Sequence, residues 1–368
     1  MILALASLPL LAWLYLLLGR EFFWLARERD DEDVPPPALW PSVVAVVPAR
    51  DEADVIAKSV GSLMAQDYRG SLRVIVVDDQ SADGTGEAVR ALGCEVISAG
   101  PRPAGWTGKL WAVSQGIAAA GMPDYLWLTD ADMAHTPDNL SQLVARAHEH
   151  GLALTSLMAK LHCEGVAEKL LIPAFVFFFD MLFPFGWVNN PRSNLAAAAG
   201  GCMLIKREAL ERAGGIAAIR GEIIDDCAMG RLLKAQGAIW LGLTNRSLSL
   251  RPYSFGEIRA MVARSAYAQL SYSAVLLATT VVGMALVYMA PPALVVFASG
   301  AARWTGAGTW ALMALAFVPM LRFYRLSPLW GLALPAIGAL YGLFTLDSAL
   351  QHWRGRGGMW KGRAQARA

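Results

Sequence analysis

This chain of 368 residues predicts an α/β fold with a mainly parallel sheet, flanked by membrane helices at its N- and C-terminal ends. Three observations carry that expectation. Between about residues 42 and 160, β-branched runs alternate with helix-spaced ones, the pattern of a sheet covered on both faces. Both ends of the chain contain long apolar runs, and 55% of all residues are apolar, high for a water-soluble globule. Three strand-like runs also stop abruptly at acidic residues.

Residues 1–18, MILALASLPLLAWLYLLL, carry no charge and are expected to span a bilayer. No basic stretch precedes them and no small-residue cleavage site follows, which predicts an uncleaved anchor rather than a signal peptide. Residues 19–41 include RERDDEDVPPPALWP and read as a charged, proline-rich spacer. A globular domain is expected over 42–270, membrane helices over 271–350 and a basic tail over 351–368. Three runs within 271–350 are candidates to cross: SAVLLATTVVGMALVYMAPPALVVFASG, TWALMALAFVPML with its flanks, and LWGLALPAIGALYGLFTLDSAL. The positive-inside rule draws Arg20, Arg27, Arg29 and the basic tail to the cytoplasmic side. Three C-terminal crossings would put that tail outside, and Arg322 and Arg325 also pull inward. Either one of the three runs is therefore re-entrant or interfacial, or the rule is overridden. The expected placement is multi-pass in the inner (plasma) membrane with the globular part in the cytoplasm. The segment 169–191, KLLIPAFVFFFDMLFPFGWVNNP, is too apolar for solvent and too interrupted by prolines and Asp180 to span. It reads either as an interfacial element or as a buried core segment.

Composition excludes several classes. A net charge of +2 leaves no nucleic-acid footprint. Cys94, Cys163, Cys202 and Cys227 are scattered, with neither a disulfide framework nor a zinc-type CxxC, and suit a reducing compartment. The five histidines show no metal-ligand spacing.

The strand-like run SVVAVVPARDEA stops at Pro48 and is followed by the helical DVIAKSVGSLMAQ. LRVIVVDDQSADGT ends in acids and leads into EAVRAL; YLWLTDADM does the same before PDNLSQLVARAHEHG. Ligands of open α/β sheets sit beyond the carboxyl ends of the strands. Arg50-Asp51-Glu52, Asp78-Asp79 and the pair Asp130 and Asp132 are thus expected to converge on one sheet edge. Adjacent carboxylates repel unless a cation joins them. In extended chain, residues two apart point the same way. Asp130 and Asp132 therefore suit Mg2+ or Mn2+, hard ions that take one or two carboxylates and complete their shells with water and phosphate oxygens. The plain alternative is a solvated turn with helix-capping acids.

The motifs VVPARDEADVI, VIVVDDQSADGT, GKLWAVSQG, TDAD and EIIDDCAMG occur in the order of family 2 glycosyltransferases, and residues 42–270 resemble that family. The resemblance implies the Rossmann-like GT-A fold. The whole chain, with AAAAGGCMLIKREALERAGG, DSALQHW and GRGGMWKGR, resembles the hopene-associated glycosyltransferases of bacteria; ceramide and carotenoid glycosyltransferases are similar in layout. By this resemblance Pro48, Ala49, Arg50 and Glu52 line the nucleotide pocket, with Asp51 standing where Asn is common. Asp79, together with Asp78, would bind uracil, and Lys109 would lie near the nucleotide. Asp130 and Asp132 would hold the metal on the diphosphate. Asp83 has a second reading as a helix cap, with Gly84 making the turn. In GEIIDDCAMGRLLKAQG, Asp226 matches the general base and Asp225 replaces the usual Glu; the alternative is that both only cap a helix. Polymerising relatives carry QxxRW, whereas MVARSAYAQL offers Arg264 and Gln269 with Tyr267 near the Trp position. That departure speaks against chain elongation and leaves Arg264 as a candidate for the diphosphate or for a membrane-surface role.

No GxGxxG follows the first strand-like run, against a dinucleotide-dependent oxidoreductase. A transporter would need more spans, and a silent nucleotide-binding scaffold would lack Asp226 or the DxD. The expected activity is inverting, metal-dependent transfer of a sugar from a nucleotide donor, UDP-linked, to a lipid hydroxyl. A polyprenyl-phosphate sugar transferase is the nearest rival.

Overall fold

The computed structural model describes residues 2–360 and 363–364, which form two compact units. One comprises residues 28–162 and 185–251; the other comprises 2–27, 163–184 and 252–358.

The first unit is built on an eight-stranded sheet. Its strands are β1 (Val43–Ala49), β2 (Leu72–Asp78), β3 (Glu95–Ser98), β4 (Tyr125–Thr129), β5 (Met133–His135), β6 (Leu154–Lys160), β7 (Cys202–Lys206) and β8 (Ile239–Ser249). Their spatial order is β3-β2-β1-β4-β7-β6-β8-β5. Helices α1 (Ile56–Met64), α2 (Thr85–Ala91), α3 (Gly108–Ala119), α4 (Asn139–Glu149), α5 (Phe185–Asn189), α6 (Arg207–Arg212) and α7 (Asp225–Lys234) complete the unit. Every residue of β1 and β4 is buried, as expected of interior strands covered on both faces. The core gathers Val43, Ala45 and Val47 of β1, Trp127 of β4, Val60 and Leu63 of α1, and Leu140 and Val144 of α4.

The expected parallel arrangement holds for β3-β2-β1-β4. It is broken at β7, which runs antiparallel to both β4 and β6, and again at β5 against β8. The sheet is therefore mixed. A single reversed strand next to β4 lets the chain after β6 return across the middle of the sheet.

The strand ends open where the pairing fails. β1 stays in register with β2 to its last residue, Ala49 opposite Asp78, but with β4 only to Val46 opposite Leu128. Pro48 lacks the N–H that a central strand needs, and it stands just past the point where β1 and β4 part. The strand continues one residue beyond Pro48 because the β2 side carries it.

The spacer expected over 19–41 is not free chain. Phe23–Leu25 form a helical turn in the second unit, with Phe23 buried against Phe177. From Glu28 the chain joins the sheet unit: Asp30 N donates to Leu243 O and Leu243 N to Glu28 O. Arg246 clamps this stretch, with Nη2 2.7 Å from Asp33 and Nε 2.8 Å from Asp138.

In the second unit, three helices are long and apolar enough to cross a membrane: Ala274–Phe297, Gly300–Phe323 and Pro328–Trp353. They coincide with the three expected runs. The first carries a π-helical turn at Ala285–Met289 just before Pro291 and Pro292, where missing N–H groups break the regular ladder. The N-terminal helix Ile2–Leu18 has 17 residues, about 25 Å at 1.5 Å per residue. It is short of a hydrocarbon core of about 30 Å, so the expected spanning anchor over 1–18 is a short helix. Ala6, Trp13 and Leu17 on one side are buried, and Trp13 Nε1 donates to Val287 O at 2.9 Å. The segment expected to be interfacial or core divides. Val166–Leu182 is a helix that buries Leu171, Ile172, Val176, Phe177 and Phe178 in the second unit, whereas Phe185–Asn189 belongs to the first. The helix Phe255–Gln269, counted by sequence in the globular domain, also packs in the second unit. The basic tail expected over 351–368 lies partly outside the described residues.

Candidate active site

The acids of the three strand ends lie in the first unit, at the edge opened between β1 and β4. A cleft there is lined by Pro48, Lys109, Thr129, Asp130, Gly200 and Asp225, with Leu110, Val113, Met203 and Met229 as its apolar wall.

Lys109 is the central cation. It is the second residue of α3, whose first turn is capped by Thr107 accepting from Leu110 N. A lysine there opposes the helix dipole, so carboxylates must hold it. Its Nζ lies 2.7 Å from Asp130 Oδ1 and 3.2 Å from Asp225 Oδ2, with the side chain only 21% exposed. Burial works against its charge, but Asp130 and Asp225 outweigh burial and hold its pKa above the ordinary lysine value.

Asp225 and Asp226 open α7, yet neither provides its cap: the N-cap is Ile224, without a side-chain bond. Asp226 instead accepts from Gly200 N at 3.2 Å and from Cys227 N at 2.7 Å. Burial, followed by the charge of Asp225, raises its pKa, and Lys109 draws it partly back. Gly200 sits where the chain approaches most closely: a Cβ there would lie 3.3 Å from Lys109 Nζ and 3.6 Å from Asp226 Cβ.

Asp130 and Asp132 are not in extended chain. They lie in a turn between β4 and β5, in which Met133 N donates to Asp130 O. Strand alternation therefore does not apply to them: Asp130 pairs with Lys109, while Asp132 feels the charges of Asp130, Glu52 and Arg251. Burial, Asp130 and Glu52, in that order, push the Asp132 carboxyl up to about 6, with Arg251 opposing. Among the described residues no three His, Cys, Asp or Glu side chains stand together as a metal site. The pair nonetheless fits a hard divalent ion that needs only one or two protein carboxylates. The repulsion felt at Asp132 is the charge such an ion would neutralise.

The remaining predicted residues divide. Arg50 Nη1 donates to Asp79 O at 2.5 Å and lies 3.4 Å from Asp79 Oδ2. Asp79 is buried, and its N–H donates to Ala49 O. Asp51 has a left-handed backbone, φ 49°, a conformation that Asn and Asp tolerate, so aspartate meets the same local demand as the expected Asn. Asp78 Oδ1 accepts from Ser81 N. Asp83 accepts from Thr85 N and Ala53 N, serving the turn that ends at Gly84, φ 89°. Glu52 is buried and pairs with Arg251, which also reaches Asp54 at 3.1 Å. Arg264 stands exposed on the helix Phe255–Gln269 of the second unit, outside this cleft.

Sequence reading missed Arg251 and Gly200. Arg251 follows β8, a strand recognisable only by its pairing, and Gly200 ends an alanine run without an acidic flag.

A mixed sheet with acids gathered at its carboxyl edge fits an α/β domain of the GT-A type. Residues 44–214, a little under half of the chain, match the family Glycosyl transferase family 2. Over 117 residues the chain is 33% identical to a 4,4'-diaponeurosporenoate glycosyltransferase of Staphylococcus haemolyticus (strain JCSC1435), covering 30% of this chain and 30% of that protein. The chain thus spans under a third of the length of that curated relative. In fold it is similar to the mannosyltransferase PcManGT of Pyrobaculum calidifontis, solved in complex with GDP-Man and Mn2+. The TM-score is 0.58 at 21% identity, over 97% of this chain and 100% of that one.

Proposed function

We propose that this protein is a membrane-associated, inverting glycosyltransferase that moves a sugar from a nucleotide donor, UDP-linked, to the hydroxyl of a lipid. The observation that carries the reading is the meeting of Asp226, Asp225, Lys109 and Asp130 at one sheet edge. It places a half-buried, raised-pKa carboxylate beside the acids suited to a donor diphosphate. A base with an elevated pKa accepts a proton more readily near neutral pH. Asp226 takes the acceptor hydroxyl proton as that oxygen bonds to the anomeric carbon and the bond to the diphosphate breaks. Gly200 N and Cys227 N orient the Asp226 carboxylate, and Lys109 sets its charge. A divalent ion, Mg2+ or Mn2+, held by Asp130 and Asp132 would supply charge neutralisation for the departing diphosphate. Pro48, Ala49, Arg50, Glu52, Asp78 and Asp79 are assigned to the nucleotide; Arg264 is kept from the sequence reading as a candidate for the diphosphate.

The GDP-Man and Mn2+ bound by PcManGT support a nucleotide-sugar donor and a divalent ion here. The three long apolar helices support a membrane setting; the cytoplasmic side for the sheet unit rests on the positive-inside reading of the sequence. The name of the staphylococcal relative supports a lipid-like acceptor. A hopanoid acceptor rests on sequence resemblance alone.

The test uses the full-length protein in detergent. Labelled UDP- and GDP-sugars are offered with a panel of lipid alcohols, including hopanoids, and with polyprenyl phosphate, with and without EDTA. Transfer to a lipid alcohol that EDTA abolishes is the expected result. Transfer to polyprenyl phosphate alone would replace this reading with its rival, and full activity in EDTA would remove the metal.

A further inference from the structure

The turn that carries Asp130 and Asp132 is bridged by a buried imidazole that the chemistry above does not use. His135, the last residue of β5, lies with Nε2 2.9 Å from Thr129 Oγ1, on the last residue of β4. Its Nδ1 lies 2.9 Å from Ser247 Oγ on β8 and 3.3 Å from Asn139 Nδ2 on α4. All four residues are buried.

The protons can be assigned. Thr129 Oγ1 also lies 2.8 Å from Gly201 O, and a carbonyl can only accept, so the single hydroxyl proton of Thr129 goes there. Toward His135 the hydroxyl must accept, and Nε2 carries the imidazole proton. Nδ1 is then the bare nitrogen and accepts from Ser247 and Asn139. His135 is therefore a neutral ring in one tautomer, donating to one side of the turn and accepting from the other.

This ring closes the base of the turn. Residues 129 and 135 flank it, and within it the backbone supplies only a 3.3 Å bond from Met133 N to Asp130 O. β5 is three residues long and pairs only with β8. The bond to Thr129, with the His135 ring packed 4.8 Å from Trp127 of β4, ties this short edge strand to the interior strand on which Asp130 depends, while Leu250 N holds Asp132 O at 2.8 Å.

We propose that His135 is a positioning residue whose Nε2–H bond to Thr129 sets the relative placement of Asp130 and Asp132, and with it the site for a divalent cation. The inference rests on the reading of those two acids as cation ligands. Its specific content is that the Nε2 side matters for the cation and the Nδ1 side only for the fold.

Glutamine places an amide N–H near the position of Nε2, and asparagine places an amide oxygen near that of Nδ1. The experiment compares full-length wild type, His135→Gln, His135→Asn and Asp132→Ala in detergent. Mn2+ binding is read by electron paramagnetic resonance with UDP and, in parallel, GDP; KM and kcat are measured alongside thermal midpoints. His135→Gln should bind Mn2+ within about threefold of wild type. His135→Asn should bind at least tenfold more weakly at a similar thermal midpoint, with KM for the donor raised more than kcat is lowered. Thr129→Val should repeat the Asn result and Thr129→Ser restore binding, which tests the bond even where His135→Asn does not fold. If His135→Asn and Thr129→Val bind Mn2+ like wild type while Asp132→Ala does not, the inference fails and the metal reading stands. If Asp132→Ala binds Mn2+ like wild type, the metal reading fails, and this inference with it.

Discussion

Lys109 and Asp130 meet at 2.7 Å, joining the first turn of α3 to the end of β4, and the same ammonium lies 3.2 Å from Asp225. One cation thus serves both the acids suited to a diphosphate and the acids suited to proton transfer. On the proposed reading, Lys109 would couple the two halves of the chemistry through charge.

Replacing Lys109 by Met should move the pH dependence of transfer. Lys109 lowers the pKa of Asp226 against burial and the Asp225 charge. Its removal lets that pKa rise, by about one to three units for a close opposite charge. The base is then protonated over a wider range, and the acidic limb of kcat/KM against pH should shift to higher pH. An unmoved limb would mean that Lys109 does not set the base.

Asp226→Asn keeps the size of the side chain and removes its basicity. The N-cap, Ile224, is untouched, but the amide keeps one acceptor oxygen, so one of the bonds from Gly200 N and Cys227 N is lost. Turnover should fall by roughly two to four orders of magnitude, the usual worth of a general base, with donor affinity nearly unchanged. Asp225→Asn should be milder. Transfer rates and nucleotide-sugar affinities at matched expression decide it, and an Asp226→Asn enzyme of near-normal turnover would refute the mechanism.

Gly230 lies in α7, where the helix carrying both acids packs on the chain before β7. A Cβ at this position would come within 2.6 Å of the Ala197 carbonyl carbon, against backbone that cannot turn aside. Gly230→Ala should therefore push α7 outward, costing about 1–3 kcal/mol of stability as overpacking does. It should also lower activity by displacing Asp226 from Gly200. Denaturant melts and kcat measured together would test this; an unchanged melt would show that the helix has room.

Acid should weaken the wild type through His135. Burial depresses its pKa to about 3, whereas the unfolded chain titrates near the ordinary value of about 6.5. Between those values the unfolded state takes up the proton and the folded state does not. Stability is complete above about pH 6.5 and falls with decreasing pH, by about 1.4 kcal/mol per unit from this group. His135→Gln should flatten that part of the stability curve, which chemical denaturation at pH 7 and pH 5 would measure.

Local pattern was enough to identify the strands that end in acids, because β-branched runs stopping at carboxylates are features of contiguous chain. Asp79, Asp130 and Asp226 were found this way or by motif, and the three long C-terminal helices by length and apolarity. The apolar run over 1–18 gives the expected helix, Ile2–Leu18, whose 17 residues are short for a bilayer span. For Asp130 and Asp132 only the extended-chain premise differs, because the chain turns between them.

What sequence alone determined is the α/β order of β1 to β4, the acidic edge and the greasy C-terminal helices, each written in neighbouring residues. Tertiary structure decided the rest. The reversal of β7, the clamp of Arg246 on the chain before β1, and the approach of Arg251 to Glu52 depend on pairings between residues far apart in the chain. So does the bridge from His135 to Ser247. Such contacts follow from strand register and from buried polar groups finding partners, and no stretch of contiguous residues records them.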